Sequence, residues 1–190
     1  MGEQTGQVHT ELEAHYEGPV ATVHGFLRAI LDASDYRQAW QLADANWRLC
    51  RAQAWIWNNR DHPLVAGLDR EAAAIGLAAD PSDYALWDAF ASTELDQFTE
   101  AWSEPDLRAY GAASRPRRVS DGEIVLLVDL SEYPGGAMVH EAKPVTGVPF
   151  LVRKVAGNWV IANVSGDHLP KPGWPPDWME GWTYWDTYLD

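Results

Sequence analysis

Two ionisable residues in the second half of the chain, Asp129 and His140, lie at the end of or within apolar runs. Such surroundings suit a group that transfers protons. Asp129 follows the apolar run Ile124 to Val128 in "EIVLLVDL", and alternation along a strand places it on the side of Val125 and Leu127. A carboxylate in apolar surroundings has a shifted pKa, which is useful in general acid–base chemistry. We expect Asp129 to be catalytic if that side faces a cavity. The alternative is a strand-end aspartate that bonds the turn before Ser131.

Histidines are the next candidates, because an imidazole changes charge close to neutral pH. His140, in "MVHEA", shares a strand face with Met138, and the alternative is a packed or solvent-facing side chain. His24 lies on a helix, beside the apolar stripe of that helix rather than within it. We predict that His140 acts in catalysis with Asp129 and that His24 contacts a ligand.

Other reactive groups form no recognisable set. His62 follows Asp61 and His168 follows Asp167, but adjacent side chains point in different directions and no third ligand stands at helical spacing. Cys50 is the single cysteine, which excludes an intramolecular disulfide, and its place on an apolar stripe indicates packing. The sequence contains no glycine-rich phosphate loop and no nucleophile elbow. We therefore predict neither a metal nor a cofactor.

Tyr36, Trp40 and Trp47 recur at helical spacing and are candidates to line a binding cavity. Their rings would stack on a flat apolar ligand, since aromatic side chains offer a large contact area. The alternative is that they form the core itself. The core is favoured, because the chain has 11 tryptophans whose side chains fill the space that a ligand would need.

The first half of the chain is predicted to be helical. Apolar residues recur at helical spacing over residues 19–32, where a proline stands in the first turn, and again over residues 34–57, where Ser34 offers a cap. A third helix is predicted from the cap and proline at Asp80-Pro81 to a stop at Pro105. Residues 60–79 contain a helix break and an alanine-rich stretch, which fits a loop followed by a short helix.

The second half changes to a period of two, which is typical of strands. Gly157-Asn158 between the last two runs fits a tight hairpin. Helices followed by a strand meander indicate an α+β fold, with N-terminal helices packed on one face of an antiparallel sheet. The predicted strands are residues 123–130, 136–142, 148–155 and 158–164.

Two segments, "FLRAILDASDYRQAWQLA" and "FLVRKVAGNWVIANVSG", resemble the nuclear transport factor 2-like superfamily. That superfamily includes polyketide cyclases, ketosteroid isomerases, epoxide hydrolases and scytalone dehydratase. The resemblance covers residues 19–166 and implies a cystatin-like cone, in which a curved sheet wraps around helices and encloses an apolar cavity. It also implies a homodimer through the outer sheet face. Residues 60–79 depart from the family pattern, which has an early strand pair there.

The C-terminal residues carry a stripe of aromatic side chains. Trp174, Trp178, Trp182 and Trp185 are spaced by four, four and three residues, and Pro175-Pro176 suits the start of a helix. Such a stripe would promote aggregation if left in water. We expect it to be buried, either as a strap that seals its own domain or in contact with a partner protein.

The net charge of −14 would repel phosphate backbones and anionic membrane surfaces, so neither nucleic acid nor membrane is a predicted partner. The basic run "SRPRR" is predicted to be a solvated loop that leads into a strand. No secretory signal precedes the first helix, which predicts a cytoplasmic protein. We divide the chain into an N-terminal extension (1–18), one domain (19–166) and a Trp/Pro-rich tail (167–190).

The sequence therefore supports two functional hypotheses. In the first, the protein binds a small apolar or aromatic molecule in a cone-shaped pocket, with acid–base catalysis of the cyclase, isomerase, dehydratase or epoxide hydrolase type. In the second, it is a non-catalytic protein-interaction module that uses the sheet face or the Trp-rich tail.

Overall fold

Helices and an antiparallel sheet form two layers, which confirms the predicted α+β class. The computed structural model describes residues 18–79, 84–101, 110–112, 116–119, 122–129, 147–165 and 168–174. The helices are α1 (Pro19–Leu27, continued by a π-helical turn over Arg28–Asp32), α2 (Tyr36–Gln41), α3 (Ala45–Asn58), α4 (Arg70–Ala78) and α5 (Trp87–Ala101).

The sheet has β3 (Gly122–Asp129), β4 (Gly147–Val155) and β5 (Asn158–Val164) side by side in antiparallel order. Two short strands, β1 (Tyr110–Ala112) and β2 (Arg117–Val119), both pair with β3 along its other edge. They act as one interrupted edge strand. Helix α1 packs across β3, β4 and β5 and so covers one face of the sheet.

The strands β3, β4 and β5 confirm three of the predicted strands to within one residue at each end. The predicted hairpin turn was displaced by one residue, because Ala156 and Gly157 form the turn and Asn158 already pairs with Val155. Both turn residues have positive φ, 49° and 91°, as a type I′ turn requires. The predicted strand at 136–142 lies outside the described residues.

The prediction of one helix over residues 34–57 is wrong, because the chain breaks between α2 and α3 to pair with the sheet. The backbone N–H of Asp44 donates to the carbonyl of Ile161 at 2.7 Å, and the N–H of Ile161 donates to the carbonyl of Leu42 at 2.9 Å. These bonds protect the outer edge of β5 at the cost of helical bonds. Ser34 has a left-handed φ of 51°, and Asp35 instead caps α2 by accepting from the N–H of Gln38.

The remaining helical predictions hold in part. Helix α5 begins at Trp87, after a turn at 84–86, and its predicted cap at Asp80 lies outside the described residues. Residues 60–79 form turns followed by α4, as the residue pattern indicates, and no strand pair of the kind found in the family occurs there. The basic run was predicted to be a loop before a strand, whereas Arg117 and Arg118 lie within β2 with exposed side chains.

The core lies between the sheet and the helices and is rich in aromatic side chains. Val125 and Leu127 of β3 and Phe150 of β4 are each at most 1% exposed, and Phe26 of α1 packs edge-on against Phe150 at 6.3 Å between ring centroids. Trp40 of α2 is fully buried. Burial of such large apolar side chains is the main stabilising contribution to folds of this size.

Candidate functional site

Three helices bury a connected group of polar side chains beneath the aromatic core. The Tyr36 hydroxyl on α2 donates to Oε2 of Glu94 on α5 at 3.0 Å, and Nε of Arg51 on α3 donates to the same oxygen at 2.7 Å. Nη2 of Arg51 also donates to Oε1 of Gln97 at 3.2 Å. Because the Glu94 side chain is only 4% exposed, these donors replace the water that its carboxylate has lost. We call Tyr36, Arg51 and Glu94 the polar triad.

The surroundings of the polar triad keep the Tyr36 hydroxyl protonated. Burial raises the pKa of Tyr36 well above its ordinary value of 10.0, and the negative charge of Glu94 raises it further. The guanidinium of Arg51 lies 6.0 Å from the ring centroid of Trp47 and 5.8 Å from that of Phe98, so two neighbouring aromatic rings interact with the cation. Tyr36 is therefore a neutral hydrogen-bond donor at ordinary pH. This arrangement stabilises a buried carboxylate and does not itself leave a group ready for proton transfer.

An open pocket of about 380 Å³ lies beside the polar triad, between the start of α2 and the first half of α5. Tyr36 and Trp87, whose rings stack at 6.1 Å, contribute to its wall, and the guanidinium of Arg37 stands 5.9 Å from the Trp87 ring centroid. Asp35 and Asp88 add carboxylates at the same pocket. This lining offers hydrogen bonds and charge of both signs to a small polar or aromatic molecule.

The structure brings the predicted aromatic residues together, mainly as core. The ring centroids of Tyr36 and Trp40 are 5.6 Å apart, those of Trp40 and Trp47 are 5.8 Å apart, and Trp40 meets Phe90 edge-on at 5.0 Å. All three predicted residues are at most 3% exposed. Tyr36 is the one of the three that lines the described pocket. Ligand contact through Trp40 and Trp47 stays a prediction.

His24 is buried on α1 at 9% exposure. Burial, followed by the positive charge of Arg28, lowers the pKa of His24 below its ordinary value of 6.5. The imidazole is therefore neutral at pH 7. Its role as a ligand contact stays a prediction.

The predicted catalytic pair is described only in part. Asp129 is the last residue of β3, and its backbone is paired with Tyr110, while Val125 and Leu127 of the same strand are buried. The side chain of Asp129 and the whole of His140 lie outside the described residues. Catalysis by these two residues therefore stays a prediction.

The C-terminal stripe is described at its first residue. Trp174 is half-buried against the hydrophobic core, and the N–H of Gly173 donates to Oε1 of the buried Gln53 on α3 at 3.0 Å. This contact fixes the end of the described chain to α3. Trp178, Trp182 and Trp185 lie outside the described residues.

Sequence reasoning missed the polar triad residues Arg51 and Glu94. One signal was present, because Glu94 stands four residues from both Phe90 and Phe98 on the buried side of α5. A carboxylate at that spacing must face the core and requires a partner. Arg51 carried no such signal in the sequence, because its partner Glu94 lies on another helix, 43 residues further along the chain.

A second missed feature is an exposed apolar surface around α4. Ile75 is 53% exposed and Leu68 is 44% exposed, although both side chains are large and apolar. Leu68 lies in the bend before α4, Ala72 and Ile75 lie within α4, and Ala79 follows its last residue. All four are exposed, and we call them the α4 stripe. The exposed Leu64, in the preceding turn, extends this apolar surface.

The opposite side of α4 is fixed against the domain. Ala73, Ala74 and Leu77 are at most 2% exposed, and α4 packs along α3. Near the start of α4, the guanidinium groups of Arg60 and Arg70 lie 5.3 and 5.9 Å from the ring centroid of Trp57. The α4 stripe is thus held on a rigid support and faces away from the core.

No family model, no curated protein and no solved structure matches the chain. Membership of the nuclear transport factor 2-like superfamily therefore stays a prediction. Over the described ranges, no three His, Cys, Asp or Glu side chains are grouped so as to hold a metal ion. In the same part of the chain, every helix is too short or too polar to cross a membrane.

Proposed function

We propose that the protein is a non-catalytic interaction module that binds an amphipathic helix of a partner protein along the α4 stripe. The observation that carries the proposal is the exposure of Leu68, just before α4, and of Ile75 on α4, whose other side is buried. Large apolar side chains grouped on a surface are typical of docking sites.

The geometry of the stripe favours a helical partner. Ala72 and Ile75, three residues apart, lie on the same exposed face of α4, and a second helix can pack against such a face. The small Ala72 lies between Leu68 and Ile75 and leaves room for a large side chain of the partner. A partner helix with bulky apolar residues at heptad-like spacing fits this surface best.

The interior supports an interaction module over an enzyme. Trp40, Trp47 and Phe90 pack ring against ring in the space where a cone-shaped ligand pocket is expected. The buried Glu94 is already paired with two donors. Neither observation favours acid–base turnover in that region.

A site-specific photo-crosslinker tests the proposal. It is placed at Ile75 in one variant and at Val155, an exposed apolar residue on β4, in a matched control. We expect crosslinks from position 75 to a partner segment with apolar residues at heptad-like spacing, and a synthetic peptide of that segment to bind the purified protein. The double variant Leu68→Asp/Ile75→Asp should weaken the peptide at least about tenfold, since a charge is poorly accommodated in an apolar contact, while Val155→Asp should not. Equal binding to all three proteins would exclude the α4 stripe.

Small-molecule binding is a second candidate, favoured by the pocket beside Tyr36. This candidate includes three predictions made from the sequence. They are the cone-shaped pocket, acid–base catalysis by Asp129 and His140, and a homodimer formed through the sheet face. Native mass spectrometry of the purified protein, followed by denaturation, tests for a bound apolar or aromatic molecule and for a dimer. A ligand mass that is lost on denaturation and absent from an Ala91→Trp variant, which fills the pocket, would support this candidate. A ligand-free monomer that gains no mass when incubated with aromatic probes would contradict it.

A further inference from the structure

The pocket beside Tyr36 is lined by exposed charged residues and by buried apolar ones. We propose that it binds a small zwitterion, an α-amino acid with an apolar or aromatic side chain, whose ammonium and carboxylate groups contact protein charges of opposite sign. The inference goes beyond helix docking on the α4 stripe, because it uses α2 and α5. It rests on the second candidate function, small-molecule binding, and names the ligand class for that pocket.

The first support is the set of charges at the pocket. Arg37 contributes a guanidinium, Asp35 and Asp88 contribute carboxylates, and all three residues are exposed. Within the described part of the chain, no ion pair joins Arg37 to either carboxylate. One oxygen of Asp35 caps α2, which leaves the other for an ammonium group. A ligand with one charge of each sign can contact both kinds of group, whereas two carboxylates repel a purely anionic ligand.

The second support is the position of Arg37. Its guanidinium lies 5.9 Å from the ring centroid of Trp87, which lines the same pocket. A guanidinium that packs on an aromatic ring keeps its N–H donors at the edge of its plane, where a carboxylate can accept two of them side by side. The contact with Trp87 therefore holds the cation at the pocket without using its donors. We expect the carboxylate of the ligand to bind there.

The third support is the apolar part of the lining. Trp87 is 5% exposed and Tyr36 is 3% exposed, and their rings stack at 6.1 Å. Ala91 and Leu95, both half-buried on α5, add aliphatic surface. The volume of about 380 Å³ is at the lower end of the range of about 300–1,000 Å³ that is typical of small-molecule sites. This part of the lining suits an apolar side chain of a small ligand, such as that of leucine or phenylalanine.

The fourth support is the backbone that leads into α2. Ser34 lines the pocket with a left-handed φ of 51°, and the N–H of Asp35 donates to the carbonyl of Ala29, in the π-helical turn, at 2.7 Å. A residue with a Cβ keeps such a φ only where its surroundings impose it, and such residues cluster at ligand sites, as π-helical turns do. The hydrogen bond fixes this part of the pocket before a ligand arrives, which lowers the entropic cost of binding.

NMR titration of the full-length protein tests the ligand class. The probes L-phenylalanine, phenethylamine, 3-phenylpropionate and 2-phenylethanol share one ring and differ in charge, and L-leucine tests a second side chain. We expect both amino acids to shift the amide signals of residues 34–37 and 87–92. L-Phenylalanine should bind at least about fivefold more tightly than the amine or the acid, because each of these lacks one charged contact. No binding by either amino acid, or an analogue that lacks one charge and binds as tightly as L-phenylalanine, would overturn the inference.

Substitutions at the charged residues test which groups make the contacts. Arg37→Gln should weaken L-phenylalanine and 3-phenylpropionate at least about fivefold and leave phenethylamine unchanged, because only the ammonium contact remains. The double variant Asp35→Asn/Asp88→Asn should weaken L-phenylalanine and phenethylamine by a similar factor without weakening 3-phenylpropionate. Asparagine at position 35 keeps a capping oxygen, so α2 should stay folded. A variant of either kind that binds L-phenylalanine as tightly as the parent would overturn the inference.

Matched controls carry the same changes of charge outside the pocket. Arg118→Gln on β2 and the double variant Asp61→Asn/Asp96→Asn remove exposed charges that do not line the pocket. Both controls should bind every probe with the parental affinity. An equal loss of affinity in the controls and in the pocket variants would show that net charge rather than the pocket controls binding, and would overturn the inference.

The neutral probe separates failure of this inference from failure of the second candidate function. If 2-phenylethanol and L-phenylalanine bind equally and Ala91→Trp abolishes both, the pocket accepts aromatic molecules without recognising charge. The inference then fails and the second candidate stands. If no probe shifts the amide signals of residues 34–37 and 87–92, the inference fails and the second candidate loses its support.

Discussion

Arg153 on β4 donates from both Nε and Nη2 to the same oxygen of Asp44, at 2.9 and 2.7 Å. The other oxygen of Asp44 accepts from the N–H of Asn46 at 2.9 Å and caps α3. The backbone of Asp44 is bonded to Ile161 on β5. One residue thus ends the break between α2 and α3, begins α3 and ties both to two strands of the sheet.

Substitutions at Asp44 should separate the cap from the ion pair. Asparagine keeps a capping oxygen but removes the charge that Arg153 needs, whereas alanine removes both. We expect Asp44→Ala to lower the free energy of unfolding by about 3 kcal/mol, and Asp44→Asn to lower it by roughly half as much. Chemical denaturation measures both values. Asp35 caps α2 from an exposed position, so Asp35→Asn is the matched control and should change stability little; an Asp44→Asn variant as stable as the parent would show that the ion pair contributes nothing.

Stability should fall in mild acid because of His24. Its pKa is lowered in the folded state, first by burial and then by Arg28, whereas the unfolded chain titrates near 6.5. Between these two pKa values the unfolded state binds more protons, so the free energy of unfolding decreases as the pH falls below about 6.5. Denaturation from pH 7.5 to 5 should show this decrease in the parent and a smaller one in His24→Gln. An unchanged slope in His24→Gln would refute the assignment.

The sheet was largely predictable because its information is local. The alternation of residue types along the chain predicts the bounds of β3, β4 and β5 to within one residue, and a glycine between β4 and β5 marks the turn. The break at Leu42 to Asp44 was not predictable in this way, because its hydrogen-bond partner is Ile161, far along the chain. A residue whose backbone leaves a helix to join a distant strand gives no periodic signal of its own.

The candidate sites were predictable only in part, for a similar reason. Helical spacing accounts for the contact of Tyr36 with Trp40 on α2, whereas Trp47 reaches Trp40 from the next helix. Whether these rings meet a ligand or each other depends on neighbours from other helices, such as Phe90. The exposure of Ile75 could not be read from its type, since an apolar residue on a helix is expected to face inward. It is exposed because Ala73, Ala74 and Leu77 form the buried side of α4 and Ile75 lies on the other side.

The hairpin should become more stable when its turn residues suit its backbone. Ala156 has a φ of 49°, which costs a residue with a Cβ about 1 kcal/mol, and asparagine tolerates this conformation better. We expect Ala156→Asn to raise the free energy of unfolding by about 0.5–1 kcal/mol. Gly157→Ala is the opposing variant: a Cβ there would meet no atom within 4 Å, but its φ of 91° disfavours alanine, so stability should fall by about 1 kcal/mol. Thermal denaturation distinguishes the two, and a loss of stability in Ala156→Asn would contradict the turn assignment.

The polar triad should behave as one unit in a mutant cycle. Arg51→Met leaves the buried carboxylate of Glu94 with the Tyr36 hydroxyl and no cation, which should cost about 3–5 kcal/mol. Tyr36→Phe removes one donor and should cost about 1 kcal/mol. The triple variant Tyr36→Phe/Arg51→Met/Glu94→Leu removes all three buried polar groups together and leaves only the exposed Gln97 to bond water, so it should recover most of the stability lost in Arg51→Met.

The triple variant also separates a structural role from a functional one. If denaturation shows that its stability returns close to that of the parent, the polar triad is dispensable for folding, and an accompanying loss of small-molecule binding would assign it to the pocket beside Tyr36. If stability stays as low as in Arg51→Met, the carboxylate and its donors are required to hold α2, α3 and α5 together. The stability losses of the three single substitutions should not add up to that of the triple variant, because residues that share one buried oxygen do not contribute independently. Additive losses would contradict the expected coupling.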